Sequence, residues 1–277
     1  MARKMDASEM QPHNHQIVMH RFVAACQADE RVVAATLYGS YARGAADAYS
    51  DLDLGLITTD AAYEDFVAGR EAFIRLLGEP LLLEDFDLPN LVFCIFPDGT
   101  EVELALGRES QFNPNQGGPY RVLLDKKNLL AGAVFPRYQP APAEQSETLR
   151  RLVYWFWHDL SHFIAAMGRG QLWWAYGQLE ALRRYCVNLA RLRYDFSVEA
   201  DGYDKVEQAI PGEHLSSLQT TCCPLEPGAM LQAVLVIVGF YQELAPLLAR
   251  THGITYPAAL ARVMSDRLEQ LCAARLR

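Results

Sequence analysis

Residues 38–53 contain the side chains of this sequence whose types and spacing best suit chemistry on a phosphate. An apolar run leads into Gly39 and Ser40, and a glycine, having no Cβ, lets the backbone approach a phosphate closely. The residues that follow can open a short helix whose amide groups, with the Ser40 hydroxyl, donate hydrogen bonds to phosphate oxygens. Gly44 is expected to end this turn. Arg43 is a further candidate contact to a triphosphate, although an arginine on a short helix more often faces solvent.

Two carboxylates, Asp51 and Asp53, follow this loop two residues apart. On a strand, that spacing places both side chains on one face. Carboxylates beside a bound phosphate form an oxygen-rich site suited to Mg²⁺. Two such ions would activate an attacking hydroxyl and stabilise a departing pyrophosphate. The alternative interpretation is an exposed, solvated strand face, which the adjoining Gly-Ser loop disfavours.

A site of this kind needs a third carboxylate, usually from a neighbouring strand. Glu101 and Glu103 alternate with Val102 and Leu104 directly after residues 97–99, whose Pro-Asp-Gly sequence is typical of a hairpin turn. The alternation places both glutamates on the same face of one strand. The residues alone leave open which of the two completes the site. Glu103 is the candidate for taking the proton of an acceptor hydroxyl.

The elements that would position these side chains occupy the first half of the chain. Alternating helical and strand-like patterns predict a mixed α/β domain over residues 1–140. Its predicted helices cover 16–28 and 63–77, and its predicted strands cover 31–38, 52–57, 91–96, 101–106 and 121–125.

The composition changes at a stretch that contains Pro136, Pro140 and Pro142, which is typical of a stiff linker. Beyond it, apolar residues recur with helical spacing, and strand signals nearly vanish. The predicted helices cover 149–167, 171–194, 227–250 and 257–276. We therefore expect an α+β protein, with an N-terminal mixed-sheet domain followed by a C-terminal helical bundle over residues 146–277 that binds the substrate.

Composition and charge restrict the classes of function. The 277 residues are 51% hydrophobic, which excludes a disordered chain. The 25 Lys and Arg against 34 Asp and Glu give a net charge of −9, so the chain lacks the basic surface of a nucleic-acid binder. The polar N-terminus and an apolar stretch of only nine residues, 233–241, predict a cytoplasmic protein with no membrane partner. The acidic balance suits a cationic or neutral small molecule, and the oligomeric state stays open.

Two features outside this segment also bear polar side chains at suggestive spacing. His158, Asp159 and His162 loosely resemble a metalloprotease motif, but the sequence favours polar positions on an amphipathic helix over a metal site. Four arginines form the main basic cluster, and we expect a solvated helix face there: Arg183, Arg184, Arg191 and Arg193.

Gly39-Ser40, Gly44, Asp51 and Asp53 resemble the signature of the nucleotidyltransferase superfamily that includes DNA polymerase beta. The spacing over residues 39–51 is similar to that of lincosamide nucleotidyltransferases. The segments 99–106 (Gly-Thr-Glu-Val-Glu-Leu-Ala-Leu) and 122–129 (Val-Leu-Leu-Asp-Lys-Lys-Asn-Leu) are similar to those of streptomycin 6-adenylyltransferases. In that family the third acid is an aspartate, and Glu103 occupies the matching position here.

The resemblance implies transfer of a nucleoside monophosphate, usually AMP from ATP, to a hydroxyl of a small acceptor such as an aminoglycoside or lincosamide antibiotic. It implies ATP or another nucleoside triphosphate as co-substrate and two Mg²⁺ ions. The implied catalytic and metal-binding residues are Asp51, Asp53 and Glu103, and the implied nucleotide-binding residues are Gly39, Ser40, Arg43 and Gly44. Transfer to a protein or RNA acceptor, or nucleotide binding without catalysis, are the alternatives.

Overall fold

The chain divides into two compact units, Met1–Pro136 and Arg137–Arg277. The computed structural model describes residues 13–135, 139–196 and 202–275. The predicted α+β class is confirmed, because the first unit contains a mixed sheet with helices and the second is helical. Two predicted positions, Pro136 in the linker and Leu276 at the end of the last helix, lie outside the described residues. The assignment of catalysis to the first unit and of acceptor binding to the second stays a prediction.

The first unit alternates helices with strands along the chain. Its elements are α1 (His13–Ala28), β1 (Val32–Leu37), α2 (Gly39–Ala42), β2 (Leu52–Thr58), a 3₁₀ turn (Asp60–Ala62), α3 (Tyr63–Ala68), α4 (Arg70–Leu77), β3 (Leu82–Glu84), β4 (Leu91–Ile95), β5 (Glu101–Arg108) and β6 (Arg121–Asp125).

These strands form one six-stranded sheet in the order β3-β4-β5-β2-β1-β6. Strands β2 and β5 lie side by side and run parallel, and the other neighbouring pairs are antiparallel. The predicted hairpin between β4 and β5 is confirmed by their antiparallel pairing. The parallel register pairs Leu52 with Val102, Asp53 with Glu103 and Leu54 with Leu104. The register therefore decides which acids are neighbours.

Alternation along β2 and β5 separates an apolar face of the sheet from a polar one. Leu52 and Leu54 of β2, with Val102 and Leu104 of β5, are almost fully buried, because side chains two apart on a strand share a face. Helices α1, α3 and α4 cover that face, and each contributes phenylalanines to the same apolar cluster. The acids of β2 and β5 consequently lie on the opposite face.

Two elements of the first unit differ from what the sequence predicted. The helix predicted over 63–77 is interrupted at Gly69, whose backbone is not helical, since glycine is among the poorest helix formers. Strand β3 was not predicted, because its three residues have no buried position to create an alternating pattern.

The second unit is the predicted helical bundle. Its elements are α5 (Pro142–Gly168), α6 (Leu172–Tyr194), α7 (Val206–Ala209), α8 (Gly212–Gln219), α9 (Pro227–Thr251) and α10 (Ala258–Arg275). Pro142, predicted as part of the linker, is the first residue of α5, a position where proline's missing N–H costs little. The short helices α7 and α8 were not predicted.

Helix α9 packs against α5, α6, α8 and α10 of this bundle. Phe156 of α5 stacks on Tyr241 of α9 with ring centroids 3.6 Å apart, and the Tyr241 hydroxyl donates a hydrogen bond of 2.7 Å to the Val153 carbonyl. By length and composition, α9 is the one helix in the described ranges that could cross a membrane, and 56% of its apolar window is buried inside the protein. Its apolar surface therefore serves as bundle core.

The solvated helix face predicted for the four arginines of α6 is wrong for two of them. Arg184 and Arg193 are exposed, whereas Arg183 and Arg191 are 7% and 5% exposed. The Arg183 guanidinium donates hydrogen bonds of 2.7 Å to both the hydroxyl and the carbonyl oxygen of Thr221. Burial of a guanidinium is tolerated here because its donors find acceptors.

Candidate active site

Gly39 begins the loop after β1 and lies against Asp53 of β2. The Tyr38 amide donates a hydrogen bond of 2.8 Å to the Asp53 carbonyl, which continues the pairing of β1 with β2 up to the loop. Gly39 has a φ of +60°, and a Cβ at this position would lie 1.7 Å from Asp53 Oδ2. The sequence predicted a glycine here for close approach to a phosphate. The structure adds that the missing side chain makes room for the Asp53 carboxylate.

Ser40, the next residue of this loop, has a buried hydroxyl group. Its Oγ atom has no hydrogen-bond partner among the described residues. A buried hydroxyl without a partner costs free energy unless a ligand supplies one. This unsatisfied atom therefore fits an anionic ligand such as a phosphate.

Gly44 and Arg43 end the short helix α2. Arg43 is the last helical-geometry residue, and Gly44 follows with a φ of +69°, the left-handed conformation that commonly terminates helices. The Gly44 amide donates to the Tyr41 carbonyl over 3.3 Å. Arg43 is exposed, as the sequence favoured, but its positive charge acts on Asp53.

Asp53 and Glu103 are adjacent across the parallel pair β2–β5. Asp53 is half-buried, and Glu103 lies on the exposed face of β5. Glu101 lies in β5 one residue before Val102, where the pairing with β2 begins. It pairs instead with Ile95 of β4, the strand on the other side of β5. The register therefore makes Glu103, rather than Glu101, the neighbour of Asp53.

Asp51 was predicted to share a strand face with Asp53, but β2 begins at Leu52. Asp51 is consequently an exposed residue of the preceding loop. Among the described residues, the side-chain oxygens of Asp51, Asp53 and Glu103 do not all come within 4.8 Å of one another. The fold thus gathers the three acids in one region without bringing them into contact as a set.

Burial and neighbouring like charges raise the pKa values of two of these carboxyl groups. Burial raises the pKa of Asp53, the charge of Asp51 raises it further, and Arg43 opposes both effects. Burial also raises the pKa of Glu103, with added contributions from Asp53 and Asp51. The region therefore concentrates negative charge that Arg43 offsets only in part, and its oxygen donors are the type that Mg²⁺ prefers. Together with the free Ser40 hydroxyl, this donor set fits a magnesium-bound nucleotide.

Sequence analysis missed His15 as a neighbour of this region. His15 Nδ1 hydrogen-bonds with the Tyr41 hydroxyl of α2. Burial lowers the pKa of the His15 imidazole, and the negative charges of Asp98 and Asp51 oppose that shift. No motif indicated this residue, because the helical pattern was recognised only from residue 16 onward, whereas α1 begins at His13.

A model of the streptomycin adenylyltransferase family matches residues 13–271. The chain belongs to this family. It is therefore an adenylyltransferase, as the resemblance in the sequence predicted.

Two solved structures are similar to this chain at low sequence identity. An aminoglycoside 6-adenyltransferase from Bacillus subtilis is 15% identical, with a TM-score of 0.41 over 96% of this chain and 98% of that one. The STING-associated c-di-GMP synthase CdnE from Capnocytophaga granulosa is 14% identical, with a TM-score of 0.30 over 95% and 82%. No curated protein matches the sequence.

Gly39 and Gly44, which both have a left-handed backbone, provide a matched test of the contact between Gly39 and Asp53. We expect Gly39→Ala to destabilise the fold more than Gly44→Ala, because only the first places a methyl group against a carboxylate. Gly44→Ala adds only the cost of a left-handed alanine, about 1–2 kcal/mol. Urea unfolding measures both, and adenylyl transfer should be lost in Gly39→Ala alone. Equal stability and activity of the two variants would contradict this account.

The raised pKa of Asp53 predicts a pH-dependent gain in stability for Asp53→Asn. A carboxyl whose pKa is higher in the folded state binds protons more tightly there, so wild-type stability falls as pH rises from the unfolded-state pKa through the folded-state value. In EDTA at pH 7, Asp53→Asn should therefore unfold at a higher temperature than wild type. Below the ordinary aspartate pKa of about 3.9 the difference should vanish.

Glu101→Gln removes an acid from the same sheet face and is the control for that experiment. It should change the unfolding temperature much less. A difference for Asp53→Asn that persists unchanged at low pH would show that charge is not the cause.

Proposed function

We propose that this adenylyltransferase transfers AMP from magnesium-bound ATP to a hydroxyl group of an aminoglycoside-type antibiotic. The observation that carries the proposal is the pairing of Asp53 with Glu103 across β2 and β5, and the buried Ser40 hydroxyl, which has no partner among the described residues, supports it. The membership of the streptomycin adenylyltransferase family supports the class of acceptor. Because the reaction consumes ATP, we place the enzyme in the cytoplasm.

The loop of Gly39 and Ser40 binds the triphosphate in this proposal. The Ser40 hydroxyl donates to a phosphate oxygen and so gains the partner that it lacks in the free protein. Arg43 is exposed at the end of the same turn and adds a positive charge. Gly44 fixes the end of the turn through its left-handed backbone.

In this proposal Asp51, Asp53 and Glu103 would hold the two metal ions. When bound, Mg²⁺ neutralises charge on the phosphate oxygens and lowers the pKa of the acceptor hydroxyl. The raised pKa values of Asp53 and Glu103 support this assignment, since burial and neighbouring carboxylates disfavour their charged forms and a bound cation would offset that cost.

Glu103 accepts the proton of the acceptor hydroxyl. The acceptor oxygen forms a bond to the α-phosphorus, the bond from that phosphorus to the bridging oxygen breaks, and pyrophosphate leaves. A raised pKa makes Glu103 a stronger base than an ordinary glutamate. Most of the remaining rate enhancement comes from holding the two substrates in position.

The acceptor is cationic, which suits a protein of net charge −9. We assign acceptor binding to the helical unit, whose exposed aromatic rings offer apolar faces on which a sugar ring can pack. Trp155 and Trp173 are 50% and 82% exposed, which is unusual for side chains of this size.

A pyrophosphate-release assay tests the proposal directly. Each of the four nucleoside triphosphates is supplied with Mg²⁺ and a panel of aminoglycosides and lincosamides, with Asp53→Asn as the inactive control. We expect release with ATP and at least one aminoglycoside. Pyrophosphate release with lincosamides alone would show that the acceptor is a lincosamide and not an aminoglycoside. Equal release by wild type and Asp53→Asn would reject the site.

The two strand glutamates supply a second prediction. Glu103→Gln should lower kcat by about 10²–10⁴, the usual contribution of a general base, while ATP affinity, measured by calorimetry, stays largely intact. Glu101→Gln should remain within about tenfold of wild type, a barrier change of roughly 1.4 kcal/mol. An inactive Glu101→Gln beside an active Glu103→Gln would move the site by two residues.

A further inference from the structure

Helix α5 carries a cluster of His158, Asp159 and His162 that the proposed reaction does not use. The two histidines are four residues apart, so both imidazoles project from one side of the helix. One potential ligand atom from each of the three side chains lies within 4.8 Å of the other two. Within the part of the chain that the structure describes, this is the one group of three metal-ligating side chains gathered so closely.

The carboxylate of this cluster is held in place from both sides. Asp159 Oδ1 lies 2.8 Å from His158 Nδ1, close enough for both atoms to contact one ion. Asp159 Oδ2 accepts a hydrogen bond of 2.9 Å from the hydroxyl of Tyr185 on α6. Hydrogen bonds of this kind orient ligating side chains in metal sites and are needed for full affinity.

Aromatic rings restrict the two imidazoles. The Trp155 ring lies edge-on to His158, with centroids 4.9 Å apart, and Trp174 lies 5.8 Å from His162. The two imidazole centroids are 4.3 Å apart. The His158 side chain is 49% exposed, so an ion can reach the cluster from solvent.

We propose that His158, Asp159 and His162 form a binding site for a divalent transition metal of the zinc class. Two imidazole nitrogens and one carboxylate oxygen are a donor set that Zn²⁺, Co²⁺ and Ni²⁺ prefer, whereas Mg²⁺ prefers oxygen alone. Three protein ligands leave at least one coordination position for water or another small ligand. Its nitrogen donors distinguish this site from the acids of β2 and β5, which offer oxygen alone and suit Mg²⁺.

Titration of the full chain with Co²⁺ and Zn²⁺ tests this site. The protein is kept reduced and in excess Mg²⁺, so that the all-oxygen acids of the first unit are occupied. We expect one ion per chain by calorimetry. The Co²⁺ absorption spectrum should show visible bands without the near-ultraviolet band of a thiolate ligand.

Variants distinguish the built site from casual chelation. His158→Ala and His162→Ala should each weaken binding by at least about tenfold, and Tyr185→Phe, which removes only the bond to Asp159, should also weaken it by about tenfold. His20→Ala removes an exposed histidine of α1 and should leave the affinity unchanged.

Several outcomes would overturn the proposal. One is equal affinity for the ion in wild type and both histidine variants. A second is a thiolate absorption band, which would assign the ion to Cys222 or Cys223. A third is a dissociation constant weaker than about 1 mM, which we take as adventitious binding. Circular dichroism confirms that each variant folds. If either alanine variant does not fold, glutamine replaces histidine at that position (His158→Gln or His162→Gln), because glutamine keeps a polar side chain of similar size without the imidazole.

Discussion

The parallel pairing of β2 with β5 is the constraint on which the proposed chemistry depends. This register brings the carboxylates of Asp53 and Glu103 to neighbouring positions of one sheet face, although 50 residues separate them in the chain. The leucines that alternate with these acids are buried under helices. Burial of one face thus fixes the position of the other, because a slip of one residue would exchange the two faces.

The loop after β1 is built around the same aspartate. Gly39 leaves the space that the Asp53 carboxylate occupies, and the Tyr38 amide bonds the Asp53 carbonyl. A half-buried acid and an unsatisfied serine hydroxyl are each unfavourable for folding. They occur in the same region, where the proposed ligand would compensate both. Such local costs are typical of functional sites.

The helical unit contains polar side chains in two different environments, one buried and one near the surface. Arg183 is buried, and its guanidinium is satisfied by Thr221. His158 and Asp159 stay near the surface, where Tyr185 fixes the carboxylate. The first arrangement links α6 to the segment after α8 and has a structural role. The second gathers three potential ligand side chains at a position that solvent can reach, which a metal-binding site requires.

The sequence by itself determined the two-part α+β organisation, the β4–β5 hairpin, and the Gly-Ser loop followed by two acids. These features are local, because periodicity and turn residues act within about ten positions. Only the tertiary structure decided that Glu103 rather than Glu101 neighbours Asp53, that His15 contacts the loop, and that Arg183 is buried. Each of these depends on strand register or on helix packing between residues distant in the chain, for which a single sequence carries no local signal.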